Sequence, residues 1–98
     1  MSRAVVVPAN LSTLVPTNSY LVLNPATAIT LNTTTAIEDA SVLGTVLILE
    51  GTDDIQTVTI NDGDNVNLGA ASRVLGNDDI LMLMFNGSVW VEVSFTNN

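Results

Sequence analysis

The chain contains no cysteine and no histidine, and its only two cations are Arg3 and Arg73. Without cysteine there is no disulfide and no thiolate metal site. Without cysteine, histidine or lysine, the usual nucleophile–base pairs cannot be assembled. Aromatic residues are scarce, with one Trp, one Tyr and two Phe. No uninterrupted apolar run approaches the ~18–20 residues that a transmembrane helix requires. Ala4-Val5-Val6-Val7 before Pro8 is too short for the core of a secretory signal, and Met1 reads as a true start. Two arginines against ten carboxylates leave a net charge of −8. That charge opposes phosphate backbones and anionic membranes, so neither nucleic acid nor a membrane is expected as a partner.

What is present is apolar and β-forming. Hydrophobic residues make up 47% of 98 residues, enough for one domain. A chain of this length hides about two-thirds of its unfolded surface at best. Val, Ile, Leu and Thr occur in short runs punctuated by Asn, Asp and Gly, with no sustained 3.6-residue period. The chain therefore reads as all-β. Strands are expected at Ala4–Val7, Ser19–Leu23, Ala28–Leu31, Thr45–Glu50, Gln56–Ile60, Val66–Leu68, Asp79–Phe85 and Ser88–Phe95. Asn24-Pro25-Ala26-Thr27 and Gly51–Ile55 read as hairpin turns. Thr35 and Glu38 have capping-box spacing, so one helical turn or a polar connection fits Thr35–Ala40.

Val-Leu-Gly at 42–44 recurs at 74–76, each time ahead of an apolar run, a turn and a second run. The expected architecture is stacked antiparallel hairpins in a small sandwich or β-helix-like module assembled as a homotrimer. Pro8 and Pro16 break ladder pairing, so residues 1–18 read as an extended N-terminal arm and 19–98 as the β domain. Val5, Val6 and Val7 are the docking residues expected of that arm.

The strongest local signal is Ile80–Phe95, where Asn86-Gly87 separates two β-forming runs. A two-residue turn would pair Phe85 with Ser88, Met84 with Val89, Leu83 with Trp90, Met82 with Val91 and Leu81 with Glu92. Ile80, Met82, Met84, Val89, Val91 and Val93 then share one wholly apolar face, which reads as the subunit's own core. Leu81, Leu83, Phe85 and Trp90 share the other with Ser88, Glu92 and Ser94. That second face reads as an oligomer interface with a polar edge, and Leu47 and Leu49 extend it.

The carboxylates Glu38, Asp39, Glu50, Asp53, Asp54, Asp62, Asp64, Asp78, Asp79 and Glu92 leave a two-carboxylate hydrolase as the one enzymatic arrangement available. All but Glu92 fall in turns or at strand ends, where such residues commonly close the backbone, so no catalytic residue is assigned. The acidic turns at Asn61–Asn65, Gly51–Asp54 and Gly76–Asp79 could offer oxygens to calcium. They lack an EF-hand's spacing and read as solvated turns, so no metal or cofactor is expected. Trp90 and Tyr20 could stack on a sugar, against the plainer reading of Trp90 as packed opposite Leu83. Arg73 is expected to pair with an acidic turn.

Asp64–Gly69, Leu75-Gly76 and Asp79–Ser94, with Asn-Gly and Trp-Val-Glu-Val followed by Ser and a near-terminal Asn, resemble the closing region of bacteriophage fibre, tailspike and head-fibre proteins. The resemblance spans about residues 58–98. It implies a β-rich homotrimer located in a virion. The corresponding expectation is a structural, non-enzymatic capsid-decoration or fibre component that binds other capsid or tail proteins. A receptor- or glycan-binding fibre tip is the alternative.

Overall fold

Nine strands and no helix make up the computed structural model, which describes residues 3–98. They are β1 (Arg3–Val6), β2 (Tyr20–Leu23), β3 (Ile29–Thr30), β4 (Val46–Gly51), β5 (Val58–Asn61), β6 (Val66–Asn67), β7 (Ser72–Leu75), β8 (Ile80–Phe85) and β9 (Trp90–Thr96). The larger sheet has the order β1-β2-β4-β8-β9-β6 and the smaller β3-β5-β7. Buried residues of both sheets, among them Leu21, Leu49, Leu81 and Trp90 from one and Ile29, Val58, Ile60 and Leu75 from the other, join in a single core. The all-β reading holds; no helical turn forms at Thr35–Ala40, where Ile37 instead bridges Leu14.

The hairpin stack does not form. From β2 to β8 every connection passes from one sheet to the other, and only β8–β9 is a hairpin. Pro25 lies buried after β2, and the chain re-enters the opposite layer at Ile29. At the end of β4, Gly51 approaches so closely that an added Cβ would lie 2.1 Å from the Gly76 carbonyl oxygen. From β2 to β8, strands adjacent in sequence thus lie in opposite sheets instead of sharing a ladder. β1–β2, β2–β4, β3–β5 and β6–β9 consequently pair parallel. An apolar stripe on one face serves either arrangement, so the residue pattern alone does not separate them.

The N-terminal segment is part of this body. β1 is an edge strand hydrogen-bonded to β2, with Ala4 and Val6 packed against the core. Beyond Pro8, Leu11 N–H donates to the Thr30 carbonyl and Leu14 N–H to the Ala36 carbonyl, and Leu14 is itself buried. Residues 3–18 are therefore not a free arm.

In the terminal hairpin the register is offset by two residues from that of a two-residue turn, pairing Phe85 with Trp90 and Met84 with Val91. Asn86 does not adopt positive φ; only Gly87 does, at 98°. The Asn86 side-chain oxygen accepts from Ser88 and Val89 N–H at 3.0 and 2.9 Å, which widens the loop. A shift of two preserves which residues share a face. A bulge opposite Met82/Leu83 then leaves Val93 without a cross-strand partner, so Leu83 pairs with Glu92 and Leu81 with Phe95. Were Val93 paired in regular register instead of bulged, Ser94 and not Phe95 would sit opposite Leu81.

Candidate interaction surface

The structure inverts the two faces of the hairpin. Leu81, Leu83, Phe85 and Trp90, with Leu47 and Leu49 of β4, are all buried in the chain's own core, none more than 5% exposed. These six residues belong to the core of one subunit and not to an outward interface. Three polar residues had marked their face as wet, and each is accounted for differently. Ser88 lies in the loop, the bulge turns Ser94 outward, and Glu92 is held by Arg73.

Arg73 of β7 meets Glu92 of β9 in two parallel bonds, Nε to Oε1 at 2.7 Å and Nη2 to Oε2 at 2.9 Å. Gly69 N–H also donates to Oε2, and the guanidinium lies 4.7 Å from the centre of the Phe95 ring. The Arg73 bonds first, then its charge and the Gly69 amide, hold the Glu92 carboxyl below its ordinary pKa against the effect of burial. The same contact raises Arg73. This pair ties the two sheets together, and Arg73 pairs with a strand residue, not an acidic turn.

What faces outward from the larger sheet is the set first read as core. The registers stack it in rows: Val46–Met84–Val91, then Tyr20–Ile48–Met82–Ser94, then Val5–Val22–Glu50–Ile80–Thr96. Val5 is 58% exposed, Val93 56% and Met84 40%; Val46, Ile48, Ile80, Met82 and Val91 are half-buried, and Val22 is buried. Leu43, exposed beside the Gly87 turn, extends the patch at one end. Of the docking residues Val5, Val6 and Val7, Val5 and Val7 are exposed and Val6 turns inward. Among the described residues, Arg3 and Glu50 are the face's only charged strand residues. The Tyr20 hydroxyl donates to Glu50, and this bond, then burial and the Glu50 charge, raises the Tyr20 pKa.

The acids cluster elsewhere, and several serve the backbone. Asp53 accepts from the Ile55 and Gln56 amides, Gln56's contribution being the larger, which holds its pKa low. Asp54 accepts from Asn77 N–H, Asp62 from Leu68 N–H, and Asp79 from Gly76 and Asn98 N–H. Two acidic turns recognised in sequence, Gly51–Asp54 and Gly76–Asp79, are therefore laced to each other. Among the described residues no group of three or more potential metal ligands comes together. Trp90 is fully buried, its Nε1 donating to the Glu38 carbonyl at 3.0 Å and its ring 5.4 Å from Phe85, so it offers no stacking platform. The outer-face residues were visible in sequence as an apolar set; nothing in the pattern said that they would face out.

Comparison with curated proteins and with solved structures found no match. A family model does match, over residues 5–91, and with it the phage-type reading extends well upstream of the terminal hairpin, from β1 to β9. The chain belongs to the family of the phage depolymerase C-terminal beta sandwich domain, a β module of the phage tail or fibre type.

Proposed function

We propose that this chain is a structural, non-catalytic virion component that acts by assembling as a homotrimer, with the outer face of the larger sheet buried between copies. The observation that carries this reading is the distribution of charge. Ten carboxylates give a chain of net charge −8, yet the apolar outer face holds a single carboxylate, tied to Tyr20. Copies meeting there bury Met82, Met84, Val91 and Val93 without bringing acidic loops into contact. An interface of this kind excludes water from an apolar sheet face, and closed symmetry is the usual outcome for identical subunits. Family membership supports a tail or fibre component over a capsid decoration. The partners are then other tail or capsid proteins, reached through the loops and the β1 edge. A receptor-binding role is the second reading, favoured by two adjoining clefts at the end of the sandwich, both lined by Glu38 and Asp39.

Light scattering after size exclusion tests the assembly. The wild-type chain should elute at three times its monomer mass. Met82→Glu, which adds charge to a half-buried outward position, should elute as a monomer with an unchanged β spectrum. A wild-type monomer at micromolar concentration, or a Met82→Glu trimer, overturns the assignment.

A further inference from the structure

Three side chains in this fold cap their own turns in the same way. Asn32 Oδ1 accepts from Thr34 and Thr35 N–H, both at 2.9 Å. Asp53 Oδ1 accepts from Ile55 and Gln56 N–H, and Asn86 Oδ1 from Ser88 and Val89 N–H at 3.0 and 2.9 Å. Each time two backbone amides, two and three residues further on, converge on one side-chain oxygen. The side-chain carbon is thereby held against the turn that contains the next peptide nitrogen. Were that nitrogen to attack the carbon, negative charge would develop on an oxygen that already faces two donors. For an amide side chain the pair is a small oxyanion hole.

The three caps differ in what surrounds the attack. Asp53 is a carboxylate, whose charge resists a nucleophile. Asn32 is followed by Thr33, whose branched Cβ crowds the nitrogen. Asn86 is followed by Gly87, which has no Cβ and sits at φ 98°. Among the described residues the Gly87 N–H has no hydrogen-bond partner, so its nitrogen is uncommitted. Comparable nitrogens elsewhere are engaged. After Asp62 the Gly63 N–H donates to the Val66 carbonyl at 3.0 Å, and after Asn77 the Asp78 N–H donates to the Gly51 carbonyl at 3.1 Å. Asn86, Gly87 and Ser88 are all exposed, so water and hydroxide reach the turn.

We infer that Asn86 is a self-modifying site, at which the folded chain converts its own side-chain amide to a cyclic imide and then to a carboxylate. The Gly87 nitrogen gives its proton to hydroxide and its electron pair to Asn86 Cγ. The Cγ–Nδ2 bond then breaks, and the amide nitrogen leaves as ammonia with a proton from water. Water opens the five-membered imide at either carbonyl carbon, its hydroxyl going to the carbon and its hydrogen to the Gly87 nitrogen. Opening at Cγ gives aspartate. Opening at the main-chain carbon gives isoaspartate, whose main chain runs through Cβ and Cγ. Either product carries one more negative charge than the present −8. Aspartate keeps the cap's acceptor oxygen, whereas isoaspartate makes that oxygen a main-chain carbonyl and lengthens the tip of the β8–β9 hairpin. The tip lies past the Val46–Met84–Val91 row, so the inference stands whether or not the outer sheet face associates.

The test follows the whole chain in mildly alkaline buffer, folded in one sample and unfolded by guanidinium chloride at the same pH in the other. Intact mass reads the gain of about 1 Da as –NH2 becomes –OH, and peptide fragmentation locates it and separates isoaspartate from aspartate. Conversion should occur at Asn86 ahead of every other asparagine, Asn32 included. It should run at least about fivefold faster in the folded chain, because hydrogen bonds to the amide oxygen strengthen as that oxygen gains charge. The Asn86→Asp variant retains an acceptor at the cap and should lose this mass gain. Conversion at Asn86 no faster folded than unfolded, Asn32 keeping pace with it, or an undiminished mass gain in Asn86→Asp would each overturn the inference.

Discussion

Which face of the β8–β9 hairpin is the core can be decided by two truncations one residue apart. Leu83 is fully buried and pairs with Leu47 across β4. Leu83→Ala removes its transfer free energy and leaves a cavity between two packed sheets, which for a buried leucine costs about 3–5 kcal/mol. Against a total stability of about 5–15 kcal/mol that is a large fraction. At roughly 4–8 °C per kcal/mol for a domain of this size, the midpoint of thermal unfolding should fall by at least ~12 °C. Met82 lies one residue away on the outward face, half-buried by Ile48 and its neighbours. Met82→Ala in dilute, unassociated protein should cost no more than about 1 kcal/mol, since little is buried and no cavity forms. Thermal unfolding by circular dichroism, repeated across a dilution series, reads both variants and separates folding from association. A Leu83→Ala change costing less than Met82→Ala at the lowest concentration would mean that the sheet packs through its other side. The same logic makes Leu83→Asp a folding mutation and not a dissociating one.

The Glu92 pKa is depressed in the folded chain, so the stability this group contributes is complete above its unfolded-state value, about 4.3, and is lost as pH falls through the lower folded value. Denaturant unfolding in acid should show this loss, and Glu92→Gln should flatten that part of the curve while leaving Asp53's contribution of the same sign. Gly51→Ala should cost ~2 kcal/mol or more, because the new Cβ meets backbone at Gly76 and Leu75. Gly44→Ala meets nothing within 4 Å and should cost only the ~1–2 kcal/mol of a side chain held at φ 88°; equal costs would discount the close approach. Deleting Val93 should be tolerated within ~1 kcal/mol, since its removal straightens the bulge while Leu81 still meets Phe95. Deleting Met82, which shifts β8 against both neighbours, should abolish cooperative unfolding.

Composition made the strand class legible, and the runs at 19–23, 45–50, 56–60, 79–85 and 88–95 all carry strands. Pairing was much less legible. Alternation tells which residues share a face and not which strand lies alongside, so the crossings at Pro25 and Gly51 read as hairpin turns although each passes between sheets. The short strand β7 at Ser72–Leu75 gave no signal of its own, because Arg73 interrupts an otherwise brief apolar run; its purpose appears only when Glu92 is in place across the core. For the face assignment, polarity was the guide and three residues misled it. Serine at a loop, serine beyond a bulge and a glutamate neutralised from the opposite sheet all look like solvent in one dimension.

After that inversion apolar surface is still exposed, on the other face of the larger sheet. A sandwich of two sheets buries one face of each and exposes the others. The smaller sheet turns Thr59 and Asn61 of β5 and Ser72 of β7 outward, with Val74 the exposed apolar residue among them. In the larger sheet the outward positions of β4 and β8 carry Val, Ile and Met, with Val91, Ser94 and Thr96 beside them on β9, and the single carboxylate among them, Glu50, accepts from the Tyr20 hydroxyl. Charge that would solubilise a monomer has been placed at the strand ends instead, in the turns around Asp54, Asp64 and Asp78. Such a division suits a module whose flat side meets its own copies while its ends stay in water.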